Sequence, residues 1–145
     1  ARAGKPCSIL VVDVDHFKAV NDEHGHDAGD AALIGLAVKM RRLLRAGDLL
    51  ARYGGEEFVA VLPKTSCEEA AMLAERLRSG IEEAKFEAAV HGLRLTVSIG
   101  VAPVNLPSQE TADAFDELLA ASVSVADEAM CRAKRAGRNR VQAAC

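Results

Sequence analysis

Aromatic residues are nearly missing from this 145-residue chain: with four Phe, one Tyr and no Trp they make up 3% of it. A surface that stacks nucleic-acid bases needs aromatic platforms, so that class of binder is excluded. An excess of basic residues is missing too. Eighteen Lys and Arg stand against 21 Asp and Glu, a formal net charge of -3, which argues against neutralising a phosphate backbone and leaves room only for local basic sites. No DNA or RNA partner is expected. No apolar run reaches the roughly 18 to 20 residues of a membrane helix, and the opening Ala-Arg-Ala-Gly-Lys-Pro lacks the hydrophobic stretch of a signal peptide. The cysteines (Cys7, Cys67, Cys131, Cys145) form no CxxC pair, so neither a zinc ribbon nor a disulfide framework is suggested and reduced cytoplasmic thiols are expected. No glycine-rich dinucleotide or P-loop fingerprint occurs, which sets aside the common nucleotide folds. With no initiator Met, the chain is expected to be part of a longer protein whose other segments could include a membrane anchor.

Half of the residues are apolar and 27% are charged, the balance of one soluble domain that buries a core. Ser8 to Val14 is an almost unbroken β-branched run ending in acid, as expected for a strand covered on both faces. Helical spacing of Leu33, Leu36, Ala37, Met40, Leu43 and Leu44 predicts a helix over 29–46, stopped by Gly47. Asp48 to Tyr53 and Glu57 to Leu62 read as two strands around Gly54-Gly55, a pair suited to the positive φ angles of a tight hairpin. Ser66 with Glu69 forms a capping box opening a helix whose buried stripe is Ala70, Leu73, Leu77, Ile81 and Ala84. Leu95 to Val101 alternates large apolar with small or polar residues and reads as a half-buried strand. Residues 103–114 read as a loop, 124–136 as a helix ended by Gly137, and 140–143 as a closing strand. The order implies an α+β sandwich with a mostly antiparallel central sheet flanked by helices.

Chemistry concentrates at two strand ends. Asp13 and Asp15 close the first strand, and Glu56 and Glu57 follow the glycine pair. Clustered carboxylates raise one another's pKa unless a cation joins them. A hard divalent ion would resolve the repulsion, since Mg²⁺ takes one or two carboxylates and completes its shell with substrate phosphates. Either acidic pair alone would more often be a solvated strand end. The stretch from Lys18 to Asp30 is rich in acid but does not form a calcium loop, because Phe17 and Lys18 occupy positions where that loop needs a ligand and a glycine. His24 and His26 have no matching Cys or His partners and read as turn or cap residues, and His91 as a loop residue. Lys134 and Arg138, four apart, bring two cations to one helix end, where they could face phosphate or simply complement the helix dipole.

Taken together, Asp13-Val14-Asp15-His16-Phe17-Lys18-Ala19-Val20-Asn21-Asp22, Gly25-His26-Asp27-Ala28-Gly29-Asp30 and Arg52-Tyr53-Gly54-Gly55-Glu56-Glu57-Phe58 are similar to the GGDEF (GGEEF) domain of diguanylate cyclases. Val97 to Ala102, Ala126-Asp127, Ala133-Lys134 and Gly137 to Val141 extend the resemblance over nearly the whole chain. It implies a fold related to the palm of nucleotide cyclases and polymerases. The implied reaction condenses two GTP into cyclic di-GMP and two pyrophosphates with Mg²⁺ or Mn²⁺, two ions or more per active dimer. Position by position it implies a metal site of Asp13, the Val14 carbonyl, Glu56 and Glu57. Guanine would be read by Asn21 and Asp30, and phosphates neutralised by Lys18, Lys134 and Arg138. Gly54 and Gly55 would admit the nucleotide to the backbone, and Glu56 would help to deprotonate the attacking hydroxyl, with Lys18 as a further catalytic group.

The resemblance also implies that residues 1–145 form one catalytic domain, without the family's upstream helix and turn and without any fused regulatory domain. Since each domain holds one GTP, a homodimer is needed for catalysis. Arg45-Ala46-Gly47-Asp48 matches the family's RxxD inhibitory site, with Arg76 as its secondary arginine and cyclic di-GMP as its ligand; a helix-ending Arg followed by an ordinary turn Asp would leave the same trace. Two further readings remain at this stage: a degenerate module that binds GTP or cyclic di-GMP only as a sensor, and a purely structural domain.

Overall fold

The apolar run becomes β1 (Cys7–Val14), every residue of which is buried. The computed structural model describes residues 5–105 and 112–145. After β1 come α1 (Phe17–His24), α2 (His26–Leu43), β2 (Leu49–Arg52), β3 (Glu57–Pro63), α3 (Cys67–Glu83), β4 (Val97–Val104), α4 (Ala112–Arg135) and β5 (Arg140–Ala143). The sheet order is β2-β3-β1-β4-β5. β1 runs antiparallel to both β3 and β4, β2 is antiparallel to β3, and β4 and β5 are parallel. This is the mostly antiparallel α+β architecture expected from the sequence.

Alternation along β1 divides the interior in two. Leu10, Val12 and Val14 enter a core with Leu36 and Met40 of α2 and Leu77 and Ile81 of α3, while Ile9 and Val11 pack with Ala126 and Met130 of α4. Helices on both faces explain why β1 is apolar without interruption. The same reasoning corrects the reading of β4, whose two faces are both covered. A Cβ on Gly100 would lie 1.9 Å from the Ala126 carbonyl oxygen and 2.4 Å from the Met130 nitrogen. Its small residues are therefore a seat for α4 and not a solvent face.

Helices carry the other corrections. α4 begins at Ala112 and not near residue 124, because the apolar positions of its first half, such as Leu119 and Val123, are only partly buried against the α4-side core. The expected loop over 103–114 is shortened from both ends, and its residues 106–111 lie outside the described residues. α1 was not expected, since only Phe17 and Val20 of its eight residues are buried. Gly25, at φ 93°, separates it from α2. The capping box of α3 forms as read: the Glu69 N–H donates to Ser66 Oγ (3.1 Å) and the Ser66 N–H to Glu69 Oε1 (2.9 Å).

The cysteine expectation is overturned. Cys67, at the start of α3, and Cys145, beyond β5, are joined by a disulfide, while Cys7 and Cys131 are free. The partners are 78 residues apart, so no local spacing announces them; the packing of α3 beside β5 brings them together. Among the described residues no helix is long and apolar enough to cross a membrane.

Candidate active site

In the β1–β3 ladder Asp13 stands opposite Glu57. Directly opposed residues of an antiparallel pair share a face, so both carboxylates project on the side of the sheet that α4 covers. The Val14 N–H donates to the Glu56 carbonyl (3.2 Å), which fastens the end of β1 to the residue just before β3. From the last turn of α4, Lys134 reaches back so that its Nζ lies 3.0 Å from Asp13 Oδ1. The sequence-predicted Asp13, Val14, Glu56, Glu57 and Lys134 thus meet at one sheet end.

Their electrostatics reflect crowding. Burial pushes the Asp13 carboxyl above its ordinary range; Lys134 opposes this, while Asp15 and Asp127 add to it. Glu56 is raised by burial and by Asp13, and Glu57 by burial, then Asp127 and Asp13, with Lys134 opposing in both cases. Asp13 Oδ1 is buried, and the Lys134 ammonium 3.0 Å away is its one partner among the described residues. Among the described residues no three His, Cys, Asp or Glu side chains are grouped so as to hold a metal ion by themselves. A closed protein cage is therefore not formed. An all-oxygen set built around one buried carboxylate with a free lone pair does fit a hard cation of the Mg²⁺ type, which borrows the rest of its shell from substrate phosphates.

Asp15 does not belong to this open cluster, contrary to the reading of two acids at one strand end. It is buried, accepting from Ser98 Oγ (2.7 Å), Thr96 Oγ1 (2.7 Å) and the Asn139 N–H (3.0 Å). Three donors from two distant segments satisfy it.

The glycine tip also differs from expectation. Neither Gly54 nor Gly55 has a positive φ, because residues 53–56 form a loop longer than a two-residue turn, closed by the Tyr53 N–H on the Glu57 carbonyl (2.8 Å). The Arg52 guanidinium caps it through the Gly54 and Gly55 carbonyls. A Cβ at Gly54 would meet nothing nearer than Glu57 Cβ at 4.0 Å, and one at Gly55 nothing within 4 Å. The folded protein does not require these glycines, and the space above them is open to a ligand.

The remaining predicted residues surround this end less tightly. Lys18, on α1, is exposed and pairs with Asp22 (3.0 Å) instead of touching the acids. Asn21, also on α1, rests on α2 at Gly29, where an added Cβ would fall 1.8 Å from Asn21 Oδ1; Asp30 is the exposed next residue. Arg138 is exposed in the turn after α4. Arg45, Asp48 and Arg76 lie elsewhere, near the end of the β2–β3 hairpin opposite its tip. Asp48 is buried and accepts the Arg45 N–H (2.8 Å), with the Arg45 guanidinium 3.4 Å away and also bonded to Thr65 Oγ1. Arg45 and Arg76 line a cavity of about 320 Å³ with Thr65, Glu69 and Met72.

The family profile described as "Diguanylate cyclase, GGDEF domain" matches residues 1–140. The chain belongs to this family. Among curated relatives of this GGDEF domain, "Diguanylate cyclase DgcP" of Pseudomonas aeruginosa is 43% identical over 143 residues, covering 99% of this chain and 20% of that protein. "Response regulator PleD" of Caulobacter vibrioides is 41% identical over 141 residues, covering 95% and 29%. The GGDEF domain thus spans under a third of the length of these relatives. Among solved structures, the diguanylate cyclase SiaD from P. aeruginosa, in complex with its activator SiaC, matches with a TM-score of 0.84 and 36% identity over 97% of this chain and 51% of that one. The GGDEF domain of DgcB from Caulobacter crescentus, in complex with c-di-GMP, matches with a TM-score of 0.77 and 30% identity, over 97% and 78%.

Within this GGDEF domain, sequence reasoning gave no role to Asp127, whose charge acts on both Asp13 and Glu57. Its early signals were the Ala126-Asp127 pair within the resemblance and its place seven residues before Lys134, two turns back along the same helix face.

Proposed function

We propose that residues 1–145 form the catalytic domain of a diguanylate cyclase that condenses two GTP into cyclic di-GMP and two pyrophosphates. The observation that carries this reading is the buried Asp13 oxygen whose one partner among the described residues is the Lys134 ammonium, on a carboxylate opposite Glu57 where the open glycine tip begins. Asp13, the Val14 carbonyl, Glu56 and Glu57 would hold Mg²⁺ or Mn²⁺, two ions or more per dimer. Bound there, the metal would neutralise phosphate charge and polarise the reacting phosphorus. Lys18, Lys134 and Arg138 bind the β and γ phosphates and offset the charge that gathers on departing pyrophosphate. Asp30 accepts from the N1 and N2 hydrogens of guanine, a donor face that adenine lacks, and Asn21 complements the purine edge. Gly54 and Gly55 let the backbone approach the nucleotide. Glu56 takes the 3′-hydroxyl proton as that oxygen bonds to the α-phosphorus; the bridge to the β-phosphate breaks and its electron pair leaves with pyrophosphate.

One domain holds one GTP and the product contains two guanylates, so two copies face each other about a two-fold axis and each 3′-hydroxyl attacks the partner's α-phosphate. A regulatory domain outside these residues sets how often the half-sites meet, in the cytoplasm. Product returns to Arg45, Asp48 and Arg76 as a feedback inhibitor. Support for this comes from the cavity lined by two arginines and from Arg45, whose side chain is 59% exposed.

The test is incubation of the full-length protein with GTP and Mg²⁺. Cyclic di-GMP should form, and Glu56→Ala should lower its rate by at least about a hundredfold, the scale of a lost general base. Progress curves that slow as product accumulates should straighten in Arg45→Ala. GTP or cyclic di-GMP binding without turnover would assign a sensor instead.

A further inference from the structure

After Lys134 the chain turns through three consecutive residues of positive φ. The Gly137 N–H donates to the Lys134 carbonyl (3.2 Å) and the Arg138 N–H to the Ala133 carbonyl (3.0 Å), closing α4 in a Schellman arrangement. Gly137, Arg138 and Asn139 then follow at φ 127°, 65° and 47°. Consecutive non-glycine residues hold the left-handed region only where their surroundings impose it. Here two elements do so. On one side, buried Asp15 accepts the Asn139 N–H (3.0 Å) while Thr96 and Ser98 fix its carboxylate. On the other, Arg78 of α3 donates to Asn139 Oδ1 (2.8 Å), and Asn139 Nδ2 donates to Glu82 Oε2 (2.6 Å). Arg78 is itself immobilised by two hydrogen bonds to Glu75 (2.6 and 2.8 Å) and one to Glu82 (3.1 Å). Residue 139 is thus gripped by its backbone from Asp15, just beyond β1, and by its side chain from α3. The neighbouring Arg138 side chain is exposed and, among the described residues, has no hydrogen bond or ion pair of its own.

We infer that Asp15 and Arg78 are positioning residues: by clamping Asn139 they hold the backbone that carries Arg138, the proposed phosphate-binding group, in place before GTP arrives. The inference rests on the proposed reading of Arg138 as a phosphate-binding group. A backbone fixed in advance narrows the space through which the Arg138 guanidinium must search, so less freedom is lost when phosphate binds. Because Asp13 and Asp15 stand two residues apart on one strand end, the clamp also fixes the phosphate-binding turn relative to the metal-site acids. Asp13 and Lys134 meet the substrate; Arg78 acts through Asn139, and Asp15 does so besides adding its charge beside Asp13.

The experiment compares GTP and GMP binding, with Mg²⁺, to the wild-type protein, Arg78→Ala, Arg138→Ala and the double variant. Arg78→Ala should weaken GTP about five- to tenfold, the scale of releasing one immobilised side chain, and leave GMP unchanged. KM for GTP should rise more than kcat falls. The double variant should bind GTP no more weakly than Arg138→Ala alone. Equal losses for GTP and GMP, or additive effects of the two substitutions, would overturn the inference. Should Arg78→Ala not fold, Asn139→Gly carries the same comparison, since it keeps the left-handed backbone and the N–H to Asp15 while removing the bridge to α3. A wild-type protein that binds no GTP sinks the cyclase reading and this inference together, whereas additive losses in a GTP-binding wild type sink the inference alone.

Discussion

Asp13 is a carboxylate that the fold handles at a disadvantage, and this sets the sign of its titration. Asp13, Glu56 and Glu57 all bind protons more tightly in the folded than in the unfolded chain. These three groups therefore contribute a loss of stability as pH rises from the ordinary carboxylate range through their raised folded values, and above these their penalty is fully present. Groups facing Asp13 from neighbouring elements are Lys134, which opposes the penalty, and Asp15 and Asp127, which add to it. In metal-free buffer at neutral pH, Asp13→Asn should melt above wild type, and its melting temperature should vary less with pH. Lys134, 30% exposed, can turn to water once its partner is neutral. Added Mg²⁺ should raise the melting temperature of wild type but not of Asp13→Asn, with a gain that shrinks as protons compete at low pH; equal Mg²⁺ gains in both proteins would remove Asp13 from the metal site. The acids themselves were legible in the sequence, because strand-end carboxylates beside a glycine pair leave a local trace. Asp15 was misread because the partners that make it structural, Thr96, Ser98 and Asn139, lie 81, 83 and 124 residues away.

Between elements, two glycines set how closely helices approach, and they should respond differently to the same substitution. A Cβ at Gly100 runs into backbone atoms of α4, and backbone can yield only if the helix shifts. Gly100→Ala should therefore lower stability by about 1–3 kcal/mol, the range of core overpacking, measured by urea denaturation. At Gly29 the nearest obstacle is the Asn21 amide, a side chain that can swing away, and the edge of the Phe17 ring at 3.1 Å need give only slightly. Gly29→Ala should fold with stability within about 1 kcal/mol of wild type, alanine being the better helix former. On the proposed reading of Asn21 as a guanine contact, displacing its amide should raise KM for GTP roughly tenfold and narrow the preference over ATP; an unchanged KM would remove Asn21 from base recognition. Strands β1, β3 and β5 and the capped start of α3 could be read directly, since each rests on a local pattern of run, turn or cap. α1 and the first half of α4 could not. Their apolar stripes are thin, and what makes them helical is the neighbour they lie on: α2 for α1, the second sheet face for α4.

Across the whole molecule, the disulfide is the feature that the sequence hid most completely, because it joins elements rather than neighbours in the chain. Cys67 and Cys145 close a 78-residue loop that contains most of α3 together with β4, α4 and β5. Restricting the unfolded chain over such a loop contributes about 4 kcal/mol on chain-entropy grounds. For a domain of this size that corresponds to a melting temperature lower by about 10 °C on reduction. Cys145→Ser should melt at the temperature of the reduced wild type whether or not reductant is present. The link lies near the opposite end of the β1–β3 ladder from Asp13 and Glu57, beyond the Cys7 and Pro63 pair. Turnover well below the melting transition should therefore survive reduction, while inactivation on heating comes earlier. Should reduction instead abolish turnover in protein that is still folded, the carboxylate end would depend on the disulfide, and the two ends of the sheet could not be treated as independent.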